Sequence, residues 1–220
     1  MYLNSFNKTV NITFIRNGTT KLNNEEKING NNDTELTEQG IHEINNIQLE
    51  KLNYDIIYHS PLKSSKDTLL NILKKYNKNS EDFNIKEDIL ISERKYGIFE
   101  GLTNKEISEK YPELYHEWRT NDNIDVEGIE SIDNLIDRVK LFISKVISFD
   151  YYNIMVVTHT DFLYSLFKYV TNHDLKEKSE KFNFNIDGCK LLYLKIDIIY
   201  DKMVLILNID EKEYKKMIDF

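Results

Sequence analysis

The chain has 220 residues, a formal net charge of -8 and one cysteine, Cys189. That length suits one α/β domain with a sizeable core over residues 1–220, and a lone thiol excludes an internal disulfide. An acidic balance without a large basic block argues against nucleic acid, no run is long and apolar enough for a membrane span, and no targeting pattern opens the chain, so a cytoplasmic protein is expected.

The elements alternate between strand and helix. Asn11 to Ile15 is a short β-branched and aromatic run, a strand signal, followed at its carboxyl end by Arg16-Asn17-Gly18. The Asn-rich pieces Asn23–Asn32 and Asn77–Asn84 read as loops. Thr37 is an N-cap ahead of Ile41, Ile44 and Ile47 on one helical face. Tyr54–Tyr58 is a second strand, Pro61 can start the next helix, and Ile85–Ile91 holds a third extended piece. Residues 92–130 are less regular, with a short helix at Lys105–Lys110 ending near Pro112. Tyr111, Tyr115 and Trp118 in this stretch suit a lid packed on the core. Ser131 caps a helix whose stripe runs Ile132, Leu135, Ile136, Val139, Phe142, Ile143, Val146 and Ile147. Ile154–Val157 is a buried strand ending at His159, and Phe162 to Val170 a further helix. Lys190–Ile199 and Lys202–Ile209 form a closing antiparallel pair turning near Asp201. The expected architecture is a three-layer α/β sandwich, with a mostly parallel central sheet and helices on both faces.

Open α/β sheets bind ligands at the carboxyl ends of their strands, which is where Arg16 and Gly18 fall. Arg16 offers a planar fork of donors to a phosphate, and Gly18 lets the backbone approach an anion. The segment Phe14–Thr20 with Asn23 resembles the first motif of the histidine phosphatase superfamily, L-V-R-H-G-E-T followed by N. Asn29-Gly30, Asp33 and Leu36–Gly40 resemble its Q-G-x-x-D-x-x-L-T-x-x-G. Tyr58–Leu62 is similar to Y-S-S-P-L, and Glu93–Leu102 to the mutase-like E-R-x-Y-G-x-x-x-G-L. Gly128–Ser131 resembles G-x-E-S, and Val156–His159 the closing V-V-S-H-G. Of 7 glycines only Gly188 falls outside these motifs.

The resemblance implies chemistry position by position. In that superfamily a first histidine attacks phosphorus, two arginines and a second histidine hold the phosphoryl group, and a glutamate acts as acid and base. It assigns Asn17 to the nucleophile position, His159 to the second histidine and Glu93 to the acid/base. Arg16 becomes the phosphate clamp, and Asn23, Asn29, Gly30, Arg94, Tyr96 and Thr160 come to line the substrate. Three positions depart from the pattern. Asn17 replaces the histidine, and a carboxamide nitrogen, its lone pair delocalised, does not accept a phosphoryl group. Ser64 stands where the second arginine belongs, with Lys63 or Lys66 as substitute point charges, and Thr160 stands where glycine follows the second histidine.

Three readings follow. One is a pseudoenzyme that binds a phosphorylated small molecule or a protein partner. Another is a hydrolase in which water attacks directly, helped by His159 or Glu93. The last is a phosphatase active before an engineered exchange at Asn17. The plain alternative for Glu93 and Arg94 is that they pair with each other. His59 reads as an exposed loop histidine, and His42, His116 and His173 as surface positions. No metal-ligand spacing and no cofactor motif is visible, and no oligomeric state is read from the sequence.

Overall fold

The computed structural model describes residues 7–32, 34–50, 52–121, 123–124, 126–171, 188–200, 202–209 and 211–219. Asp33, His173 and Asp201, named above, lie outside them.

A seven-stranded sheet forms the middle layer. Its strands are β1 (Lys8–Arg16), β2 (Ile56–His59), β3 (Ile85–Glu87), β4 (Asn153–Thr158), β5 (Leu191–Ile199), β6 (Lys202–Ile209) and β7 (Lys212–Asp219), in the spatial order β3-β2-β4-β1-β5-β6-β7. The ladders from β3 to β1 are parallel, and those from β1 to β7 antiparallel. The parallel half is fully buried at β2 and nearly so at β4, as expected for strands covered on both faces.

The helices are α1 (Lys21–Asn24), α2 (Glu38–Asn46), α3 (Lys63–Lys75), α4 (Asn104–Lys110), α5 (Pro112–Thr120), α6 (Ile132–Ser148) and α7 (Thr160–Thr171). Alternation along β1 divides the core. Val10, Ile12 and Phe14 pack with α6 and α7, whereas Ile15 joins Ile57, Met155 and Val157 under α2 and α3. Phe142 of α6 meets both Tyr58 and Phe162 edge-on, at 5.5 and 6.2 Å between ring centroids. Truncating such a buried phenylalanine costs about 3–5 kcal/mol. Thr37 and Ser131 cap α2 and α6 as expected, accepting from Gly40 and Asn134 amides at 3.1 Å each.

Several expectations are corrected. The closing antiparallel pair is three strands, because Lys212–Asp219 adds β7, whose Tyr214 packs on Phe167 of α7 at 5.0 Å. Only half of the sheet's ladders are parallel. The piece at Ile85–Ile91 is a three-residue strand followed by a 3-10 turn at Ile89–Ile91. Pro112 ends α4 but also starts α5 as its first residue, where the missing N–H is not needed. His59 is no exposed loop residue: it ends β2 and is buried, its Nδ1 2.8 Å from the Ser60 carbonyl. No helix among the described residues is long and apolar enough to cross a membrane.

Residues 92–130 carry an apolar cluster of their own. Trp118 sits centrally, with Phe99, Tyr96 and Tyr115 rings at 5.4, 5.9 and 6.0 Å. The segment is laced by the close approach of Gly97 and Gly128, both at positive φ (50° and 84°). A Cβ on Gly97 would meet the Gly128 carbonyl carbon at 2.8 Å.

Candidate functional site

The carboxyl ends of β1 and β4, the start of α7 and the loops at 23–34 and 93–96 enclose a cavity of about 190 Å³. Arg16, Asn17, Asn23, Asn29, Gly30, Glu93, Tyr96, His159 and Thr160 all line it, and so do Lys27, Asn32, Thr34, Ser64 and Asp161. The three departures from the family pattern therefore converge on one cavity.

The loop after β1 is rigidly tied. Gly18 donates to Thr68 Oγ1 at 3.0 Å, and Thr19 donates its amide and hydroxyl to Glu43 at 2.9 and 2.7 Å. Thr20 caps α1 reciprocally with Asn23 and also meets Asn29. The carboxamides expected at the substrate are thus held by this threonine.

Asn17 and His159 face each other. The Asn17 amide nitrogen donates to the Gly18 carbonyl at 2.9 Å, which turns its oxygen to His159 Nδ1 at 3.0 Å. That nitrogen must then be the donor, so Nε2 is the acceptor, with Ser60 Oγ at 2.7 Å and Ser65 Oγ at 3.2 Å. Burial, followed by repulsion from Arg16 and Arg138, depresses the His159 pKa to about 3. The imidazole is neutral, and both its nitrogens are engaged by protein groups.

Glu93 behaves in the opposite sense. Its Oε1 accepts the Arg94 and Asp161 amides at 2.8 and 3.1 Å, the latter from the first turn of α7. Burial, then the neighbouring Asp161 carboxylate, outweigh these bonds and push the Glu93 pKa up to about 8. Asp161 accepts the Tyr96 hydroxyl at 2.6 Å, so Tyr96 links the cavity to the Trp118 cluster.

Arg94 is not brought to the cavity. Its guanidinium is buried, donates from Nε to the Glu130 carbonyl at 2.7 Å and lies 5.1 Å from the Tyr96 ring centre. Lys63 is exposed and pairs with Glu35 at 3.1 Å, Lys66 is exposed too, and neither lines the cavity. Lys27 is the lysine at the cavity wall, paired with Glu25 at 2.7 Å. Asp161, Ser65 and Arg138 carry no motif of their own and were not foreseen, and Ser60, inside the Tyr58–Leu62 motif, was given no role; the place of Asp161 two residues beyond His159 was the available signal for it. No group of three or more His, Cys, Asp or Glu among the described residues is placed to hold a metal ion.

This sheet order, with the cavity at the carboxyl ends of the parallel strands, defines an α/β fold whose cleft opens at its strand ends. A family model for the histidine phosphatase superfamily (branch 1) matches residues 12–202, and the chain belongs to that superfamily. It is similar to Phosphoserine phosphatase 1 of Hydrogenobacter thermophilus, with 32% identity over 155 residues, 69% of this chain and 71% of that protein. It is also similar to a 2,3-bisphosphoglycerate-dependent phosphoglycerate mutase of Cytophaga hutchinsonii, with 31% identity over 161 residues, 70% of this chain and 74% of the mutase. Among solved structures, Bacillus stearothermophilus YhfR superposes with a TM-score of 0.77 at 19% identity, covering 92% of this chain and 97% of YhfR, which speaks to fold alone.

Proposed function

We propose that this chain binds a small phosphorylated molecule in the superfamily's anion pocket without forming a phosphohistidine. The carrying observation is the Asn17–His159 contact at 3.0 Å: a carboxamide occupies the attacking position and holds the remaining histidine as a neutral, hydrogen-bonded wall. Arg16 supplies the anion's main partner, joined by the hydroxyls of Ser64 and Thr160 and the carboxamides of Asn23 and Asn29. The cavity, at about 190 Å³, is smaller than the roughly 300–1,000 Å³ pockets of drug-sized ligands, which favours a compact phosphomonoester over a peptide. The similarity to a phosphoserine phosphatase and a phosphoglycerate mutase supports the same ligand class.

A second reading rests on Glu93. A carboxyl with a pKa near 8 is protonated at neutral pH and lines the same cavity, so it has the state needed to protonate a leaving oxygen while water attacks directly. Calorimetry with inorganic phosphate, beside turnover of p-nitrophenyl phosphate, separates the two. Binding without turnover is expected. Turnover abolished by Glu93→Gln would favour direct hydrolysis, and failure to bind phosphate at all would overturn the binding reading.

A further inference from the structure

The motif Gly128–Ser131 has no role in the chemistry above, yet its Glu130 sits at the centre of a hydrogen-bonded hub. Arg138, two turns along α6, uses all five of its N–H donors. Nε and one terminal nitrogen take the two Glu130 oxygens at 2.7 and 2.8 Å. The remaining donors go to backbone carbonyls of Leu90 at 2.7 Å, Ser92 at 3.0 Å and Glu93 at 3.3 Å. Glu130 holds the other side of the same stretch: its carbonyl accepts Arg94 Nε at 2.7 Å, and its amide donates to the Lys95 carbonyl at 3.0 Å. Residues 90–95 belong to no strand or α-helix, so these bonds stand in for a ladder.

We infer that the Glu130–Arg138 pair is the positioning device for Glu93, fixing its backbone so that its carboxyl meets the Asp161 amide and stays enclosed at the cavity wall. The inference rests on the proposed function for its purpose, not for its test. A planar fork is required, because a lysine keeps the charge but cannot serve three carbonyls and a carboxylate together. The Arg138 and Glu130 side chains are 19% and 13% exposed, and a sheltered ion pair is a poor source of stability compared with apolar packing, which favours a role in geometry. The charged groups around Glu93 are Asp161 from α7, Arg16 from β1, Arg94 and Lys95 from its own segment, Arg138 from α6 with its partner Glu130, and Lys27 across the cavity, with Tyr96 and neutral His159 beside them.

The test is a carbon-13 NMR titration of the glutamate carboxyls in ligand-free protein, with Glu93 assigned by its loss in Glu93→Gln. In Arg138→Lys and in Glu130→Asp, both of which keep the charge, the Glu93 midpoint should fall by about one pH unit or more as water reaches the loosened carboxyl. An unchanged midpoint in a folded variant, whatever its melting temperature, overturns the inference. Should both variants fail to fold, hydrogen exchange on the native chain decides. The Arg94 and Asp161 amides, which donate to Glu93, should be as protected as the middle of α6, and loop-like exchange there would overturn it. Because no ligand is present, absence of phosphate binding would sink the proposed function and leave this inference standing.

Discussion

Ser60 Oγ lies 2.7 Å from Nε2 of His159, on the side of the ring away from Asn17. The serine hydroxyl donates there because Nδ1 carries the ring proton. Nitrogen-15 NMR should therefore show one neutral tautomer, protonated at Nδ1, from pH 5 to pH 8. Asn17→Asp places a carboxylate at the same contact and should raise the His159 pKa above its native value of about 3. A native imidazole titrating near its ordinary 6.5 would contradict this geometry.

Glu93 and His159 bias stability in opposite directions with pH. The His159 pKa is lowered from 6.5 to about 3, so its contribution is present above pH 6.5 and lost as pH falls toward 3. The Glu93 pKa is raised from 4.5 to about 8, so its contribution is present below pH 4.5 and lost as pH rises through 8. Between 4.5 and 6.5 the two slopes oppose each other. The stability of Glu93→Gln relative to the native chain should rise from pH 4.5 to pH 8, at no more than about 1.4 kcal/mol per pH unit. Urea denaturation at several pH values reads the difference directly, and a pH-independent difference would refute it.

Arg16 is expected to dominate anion binding now that Ser64 holds the second arginine position. Arg16→Ala should weaken phosphate binding by about 10- to 100-fold, the range of a lost charge-assisted hydrogen bond worth about 1.5–3 kcal/mol. Arg16→Lys should recover part of it, since the charge returns without the fork. Calorimetry giving Arg16→Ala an affinity within about twofold of native would mean the anion sits elsewhere.

Gly30 couples the cavity wall to the segment of residues 92–130. Its φ is +53°, and a Cβ there would overlap the Glu100 carboxylate. That carboxylate accepts the amides of Asn31 at 3.1 Å and Tyr96 at 2.9 Å. Gly30→Ala should destabilise the chain by about 1–3 kcal/mol, through strain and displacement of Glu100. A thermal melt superimposable on the native one would show that the loop absorbs the methyl freely.

Strands β1, β2 and β4 and the helices beside them were legible because those strands hold buried apolar runs and the helices carry capped stripes, as at Thr37 and Ser131. β7 was not. Lys212-Glu213-Tyr214-Lys215-Lys216-Met217 reads as a polar tail until Tyr214 finds Phe167, and edge strands are commonly protected by such lysines. At the site, the motif positions of Arg16, Asn17, Glu93 and His159 indicated residues that do share a cavity. Arg94 misled because its motif position says nothing of side-chain direction, and Glu130 draws it inward. Asp161 and Arg138 escaped notice because each acts across a large gap in sequence, on Tyr96 and on the segment before Glu93.

Trapping the phosphoenzyme tests the central claim most directly. The native chain and an Asn17→His, Ser64→Arg double variant would be mixed with p-nitrophenyl phosphate, quenched rapidly and weighed intact by mass spectrometry. The account expects no phosphoryl adduct on the native chain and an adduct at position 17 in the variant. A phosphoryl group on any residue of the native cavity would contradict it.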